Sequence, residues 1–170
     1  MINKEGAYMD IGCETGPAGM IALACDHGGF ELMHEVKSYL DDAGIGYRDF
    51  GTFTAAGCDY PEIAERAAQA IVGGECGRGI FICGTGIGMS MAANKIPGIR
   101  AALCTDCYMA ELTRRHNDAN VLCLGGRVTG AGHALKIVGT FLGAGFESGG
   151  RHGRRVEMLG ALDARRSGGL

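Results

Sequence analysis

Five short apolar runs, residues 20–25, 45–50, 79–83, 99–104 and 121–124, alternate with stretches that have helical spacing. The first run, Met20-Ile21-Ala22-Leu23-Ala24-Cys25, is continuous rather than alternating, as in a strand buried on both faces. The stretch that follows places Phe30, Met33, Val36, Leu40 and Ala43 toward one side, with Gly44 closing it. Pro61 stands where a first helical turn tolerates it, ahead of a helix to about Val72 that Gly73-Gly74 ends. Helical segments are further expected over 89–95, over 106–115 and over 129–142, with Thr129 as N-cap of the last. Strand and helix in strict alternation predict a parallel sheet with helices on both faces. The expected architecture is a three-layer α/β/α, Rossmann-like fold with about five strands, plus a basic C-terminal helix over about 151–166.

At 170 residues the chain has room for one such domain and not for two. Residues 20–166 form that domain in this reading, and residues 1–19, which fit no element, form a flexible extension with Met20 as an alternative start. A formal charge of −3 gives no electrostatic case for nucleic acid. No apolar run approaches the roughly 20 residues that span a bilayer, and the N-terminus lacks a basic start followed by an apolar stretch. The expected location is cytoplasmic. Eight cysteines fit that setting as reduced thiols, since Cys25, Cys83, Cys104 and Cys123 lie at or near the ends of apolar runs. Cys104 and Cys107 form a lone CxxC with no second pair of ligands, so no metal is expected.

One segment stands apart chemically. The apolar run ending at Cys83 leads straight into Gly84-Thr85-Gly86-Ile87-Gly88, and a helix-compatible stretch follows. A tight loop without bulky side chains, opening a helix, can cradle an anion on its backbone N–H groups. A thiol at its rim is placed to serve as a thiolate base. Ligands in such folds bind beyond the carboxyl ends of the strands. Asp26 and His27, Asp59 and Tyr60, Cys83 and Thr85, Thr105 and Asp106, and Arg127 all follow strand ends. The loop lacks both the Lys-Ser/Thr ending of a Walker motif and the GxGxxG spacing, which disfavours a nucleotide-binding module.

Several ordered motifs extend this picture: Cys25-Asp26-His27-Gly28-Gly29-Phe30, Asp59-Tyr60-Pro61, Cys83-Gly84-Thr85-Gly86-Ile87-Gly88, Ala92-Ala93-Asn94-Lys95, Arg114-Arg115-His116-Asn117-Asp118 and Gly149-Gly150-Arg151-His152. Together, from about Met20 to Arg166, they resemble ribose-5-phosphate isomerase type B, a family that includes the galactose-6-phosphate isomerase subunits. The resemblance implies interconversion of an aldose phosphate and a ketose phosphate through a cis-enediolate, with neither metal nor nucleotide as cofactor. D-ribose 5-phosphate and D-ribulose 5-phosphate are the implied pair. Galactose 6-phosphate, allose 6-phosphate or a tetrose phosphate are the alternatives.

By the same resemblance Cys83 matches the proton-transferring base, and His116, helped by Thr85, opens the furanose ring. One branch of the family uses a glutamate later in the loop instead, and Met89 stands there here. Asp26 and Asn117 match residues that hold sugar hydroxyls, and Tyr60 lines the pocket. Gly84, Gly86 and Gly88 form the anion nest. His27, Arg127, Arg151 and Arg155 match the phosphate-binding set. Arg151 and Arg155, four apart, share one helix face, while Arg154, Arg165 and Arg166 are expected in solvent. His34, His133 and His152 are expected to be structural. The family forms dimers whose sites draw on both subunits, so a homodimer, or such dimers paired into a tetramer, is the implied assembly.

Overall fold

The computed structural model describes residues 19–167, with side chains to Arg165; residues 1–18 of the expected 1–19 extension and the side chain of Arg166 lie outside the described residues. A five-stranded parallel sheet is formed by β1 (Ile21–Cys25), β2 (Tyr47–Asp49), β3 (Arg78–Cys83), β4 (Ala101–Leu103) and β5 (Val121–Gly125), in the spatial order β2-β1-β3-β5-β4. The helices are α1 (Phe30–Asp42), α2 (Tyr60–Val72), α3 (Ile87–Ala93), α4 (Cys107–Asn117), α5 (Ala131–Gly143) and α6 (Gly150–Ser167). This is the expected Rossmann-like α/β/α architecture.

The strand order explains which helix covers which face. Crossovers between parallel strands are right-handed, so connections that step one way across the sheet share a face. Accordingly α2 and α3 pack with Ala22, Ala24, Phe81, Cys83 and Cys123 on one side. Residues of α1, α4 and α5 pack with Ile21, Leu23, Ile80, Ile82, Leu122 and Leu124 on the other. Alternate residues of each central strand thus feed opposite cores, and for this reason the runs read as continuous apolar stretches.

The two edge strands are shorter than their apolar runs. Ile45, expected in β2, instead closes α1: its N–H donates to Leu40 O at 2.9 Å and its side chain is buried. At the other edge, the amide of Asn94 flanks β4, its Oδ1 accepting from Ala101 N and its Nδ2 donating to Ala101 O. Two helix starts also differ from expectation. Helix α5 begins at Ala131 with Gly130, not Thr129, as N-cap. Helix α3 begins at Ile87 rather than Met89, because Gly86 turns the chain at φ +78°.

The reversal in strand order falls between β1 and β3, where the loops after β1, β3 and β5 converge backbone to backbone. A Cβ on Gly28 would lie 2.7 Å from Gly84 N, and one on Gly126 would lie 2.6 Å from Gly28 O. Gly29, the residue before α1, is tighter still: a Cβ there would sit 2.5 Å from Ile82 O. Because the obstructing atom is sheet backbone, Gly29→Ala is expected to cost about 3 kcal/mol and to lower Tm by roughly 6–12 °C. Gly132→Ala, at an open position in the first turn of α5, is expected to raise Tm slightly. Thermal unfolding of the two variants checks both signs.

Candidate active site

Cys83 ends β3 on the carboxyl side of the sheet, only 5% exposed. The next residues turn back over it, so that Gly86 N–H donates to Cys83 Sγ at 3.1 Å. Thr85 is exposed at the loop's outer edge, and its Oγ1 accepts from Ile87 N at 3.3 Å. Two of the loop's amides are therefore already engaged within it. Of the glycines expected to cradle an anion, Gly84, Gly86 and Gly88, the Gly86 amide is turned to Cys83 Sγ. In the first turn of α3 the amide of Gly88, which is partly exposed, has no intrahelical acceptor, whereas Met89 is fully buried. Gly88 lies beneath Tyr60, so close that a Cβ would come within 2.8 Å of the ring.

The loop after β1 forms the next wall. Asp26 is the buried acid of the described core, and its Oδ1 accepts from Gly28 N at 2.8 Å and Gly29 N at 3.1 Å. Part of its carboxylate thus holds its own loop in shape. His27 is exposed and its Nδ1 accepts from Cys58 N at 3.4 Å. In the neutral ring that leaves Nε2–H as a donor. From the third side, Arg127 N donates to Gly84 O at 3.0 Å. The Arg127 side chain lies over Gly84, with Cδ 3.5 Å from where a Cβ would be. Asp26, His27, Tyr60, Cys83, Thr85, Gly84, Gly86, Gly88 and Arg127 therefore form one cluster.

The other predicted site residues do not join it. A helix after a parallel strand runs back toward the strands' amino ends, so His116 and Asn117, at the end of α4, return to the opposite side of the sheet. Just beyond them, Asn120 O accepts from Gly79 N, whereas Cys83 lies four residues further along that strand. At about 3.3 Å per residue, roughly 13 Å of strand separates the two levels. The end of α4 is firmly fixed. Asp118 takes φ +47°, and its carboxylate accepts from Arg114 Nη1 at 2.9 Å and Arg100 Nη2 at 2.7 Å. Arg151 and Arg155 are exposed on α6, and Arg155 lines one groove with Asn117. His116, Asn117, Arg151 and Arg155 thus make a second cluster, and the expected phosphate set is divided between the two.

His152, read from sequence as structural, belongs to this second cluster: its ring stacks on His116 with centroids 4.0 Å apart and planes 8° from parallel. Glu147 lies beside them, held by Arg115 Nε at 2.7 Å, and that pairing lowers its pKa. The His116–His152 pair joins residues 36 positions apart (152 − 116) on α4 and α6, so no local pattern in the sequence signals it. His116, Glu147 and His152 also offer three potential ligand atoms within 4.8 Å of one another. They suit a metal poorly. Parallel imidazoles do not converge their lone pairs, Arg115 occupies Glu147, and Arg151 Nε points at His152 Nε2 from 3.4 Å.

Three further buried thiols lie within or next to the strands: Cys25 ends β1, Cys104 follows β4 and Cys123 is the middle residue of β5. Burial, aided by nearby carboxylates, pushes Cys25 and Cys104 up to about 12, and burial raises Cys123 well above the usual thiol range. They remain protonated packing groups. Among the described residues, no helix is long and apolar enough to cross a membrane.

Comparison with known proteins bears on the fold and the family. The Ribose/Galactose Isomerase family model matches residues 21–159. The chain is 50% identical over 147 residues to ribose-5-phosphate isomerase B of Escherichia coli, covering 86% of this chain and 98% of that protein. It is 42% identical to D-erythrulose-4-phosphate isomerase of Pectobacterium atrosepticum, covering 82% of this chain and 92% of that protein. The solved ribose-5-phosphate isomerase B of Clostridium thermocellum superposes with a TM-score of 0.84 at 50% identity, over 86% of this chain and 99% of that one.

Proposed function

Because the chain belongs to the ribose/galactose isomerase family and is an aldose–ketose sugar-phosphate isomerase, we propose that it interconverts D-ribose 5-phosphate and D-ribulose 5-phosphate on a site that two copies of the chain complete. The observation that carries the chemistry is the Cys83 thiol, lodged at the base of a glycine loop with the Gly86 amide aimed at its sulfur. No other group in the first cluster is both positioned under the loop and able to cycle a proton. Met89 is fully buried at the place where a carboxylate base would stand.

His116, assisted by Thr85, moves protons between the anomeric hydroxyl and the ring oxygen to open the furanose. Cys83 then takes the proton from C2 of the open aldose. The electron pair passes into a cis-enediolate, whose O1 charge meets the Gly88 amide. The O2 hydroxyl proton then passes to O1, and returning the C2 proton to C1 while C2=O2 forms gives the ketose, so the reaction is balanced without any external donor. Asp26, Tyr60 and Asn117 contact the sugar, and the phosphate is taken by His27, Arg127, Arg151 and Arg155. Guanidinium groups bind its oxygens in bidentate fashion.

One chain cannot bring Cys83 and His116 to the same sugar across roughly 13 Å of sheet. Pairing two copies, so that the carboxyl side of one sheet meets α4 and α6 of the other, supplies both halves twice. This favours a homodimer with two shared sites, and the exposed Met158, Leu159 and Leu162 on α6 suit such an interface. Dimers could pair further without altering the sites.

The substrate is tested by steady-state kinetics on ribose 5-phosphate, allose 6-phosphate, galactose 6-phosphate and erythrose 4-phosphate. The highest kcat/KM is expected on ribose 5-phosphate, and a higher value on any of the others would reassign the substrate. In the same assay Arg155→Ala should raise KM for ribose 5-phosphate at least tenfold with little change in kcat. An unchanged KM would remove Arg155 from the phosphate site.

A further inference from the structure

We propose that His152 is a positioning residue for ring opening, holding the His116 imidazole by a face-to-face stack. The inference rests on the reading of His116 as the ring-opening group and extends it to a residue with no role so far. The two rings lie 4.0 Å apart and within 8° of parallel, which leaves His116 free to turn in its own plane but not to tilt.

The stack is itself supported from both sides. Glu111 on α4 and Glu147 in the segment before α6 both receive the Arg115 guanidinium, at 2.8 Å and 2.7 Å. Glu147 N–H also donates to Arg115 O at 2.9 Å, tying the segment before α6 to the residue next to His116. Gly150, at φ +62°, then starts α6 and sets His152 in its first turn. An imidazole on the end of a helix otherwise has free rotamers, and a small misplacement of a catalytic group costs much of the rate.

The environment also favours the uncharged form of the supporting ring. Partial burial first, then the charge of His116 and the guanidinium groups of Arg151 and Arg155, hold His152 below the ordinary histidine range, with Glu147 opposing them. A neutral ring can remain stacked when His116 carries a proton, whereas two imidazolium ions at this distance would repel. His152 therefore serves as a flat support and not as a second proton carrier.

This role predicts a selective defect. Ribose 5-phosphate arrives as a closed furanose, whereas ribulose 5-phosphate is open-chain, because its C5 oxygen carries the phosphate and no five-membered ring can form. Proton exchange at C1 of ribulose 5-phosphate needs only the enediolate step. In His152→Asn, kcat on ribose 5-phosphate should fall about 10-fold or more with KM within about twofold. Exchange of solvent deuterium into C1 of ribulose 5-phosphate should stay within about twofold of the unaltered enzyme. His152→Phe, which restores a flat ring without a proton, should recover turnover to within about threefold.

Equal losses in turnover and exchange, no loss at all, or failure of phenylalanine to rescue would each overturn the proposal. His116→Asn, run in parallel, separates the two levels of inference. If it too leaves ring-dependent turnover intact, the ring-opening reading fails. If it uncouples turnover from exchange while His152→Asn does not, only the stack proposal fails.

Discussion

Replacing Cys83 with alanine is expected to lower kcat for ribose 5-phosphate about 10²–10⁴-fold, the range attributed to a positioned general base, with KM within about threefold. The separation of kcat from KM follows from geometry. Cys83 is 5% exposed at the base of its loop and contributes only a sulfur that accepts from Gly86 N, whereas the residues proposed to hold the phosphate and hydroxyls lie elsewhere. Losing that acceptor leaves one amide without its partner, a cost of about 1 kcal/mol, so Tm should move only by roughly 2–4 °C. Cys104→Ala is the matched control. Cys104 also follows a strand and is buried, but its thiol is held up to about 12 by desolvation, and its removal should leave kcat unchanged. Initial rates and thermal melts on the two variants decide the matter. Comparable loss of activity in both would mean that strand-end packing, and not a base, had been disturbed.

Much of the fold was legible because each central strand feeds two cores. Ile80 and Ile82 face one layer, and Phe81 and Cys83 the other, so β3 can only be a continuous apolar run. The edges were harder. Ile45 is as apolar as a strand residue, but its amide is claimed by Leu40 O at the end of α1. That choice between capping a helix and extending a sheet is made by tertiary contact. The start of α3 was misplaced by two residues because apolar spacing begins at Met89, while the helix begins where Gly86 reverses the backbone.

The first half of the candidate site was readable from strand ends alone: Cys83 ends β3, and Asp26, His27 and Arg127 follow β1 or β5. The second half required following a helix back. His116 is near the end of α4, and a crossover helix of that length returns to the amino side of the sheet. The motif set brings Cys83 and His116 together as chemical partners, yet within one chain the fold holds them apart. The His116–His152 stack had no sequence signal, since it depends on how α6 lies against α4.

The largest gain of activity is expected from mixing two inactive proteins. Cys83→Ala and His116→Asn should each be nearly inactive alone, since every site in either homodimer lacks one group. A mixed dimer contains one site with both defects and one with an intact Cys83 from one copy and an intact His116 from the other. Random exchange at equal concentrations makes about half the dimers mixed, each with one of two sites working. Specific activity should therefore rise from near zero to about one quarter of the unaltered enzyme, following the statistics of subunit exchange and independent of which variant is in slight excess near equality. The variants can be co-expressed with different affinity tags, so that the mixed dimer is purified and assayed alone, where about one half is expected. Recovery at these levels is the result that a site shared between two copies predicts. Mixed dimers that stay as inactive as their parents would contradict it, and would require Cys83 and His116 to act within a single chain.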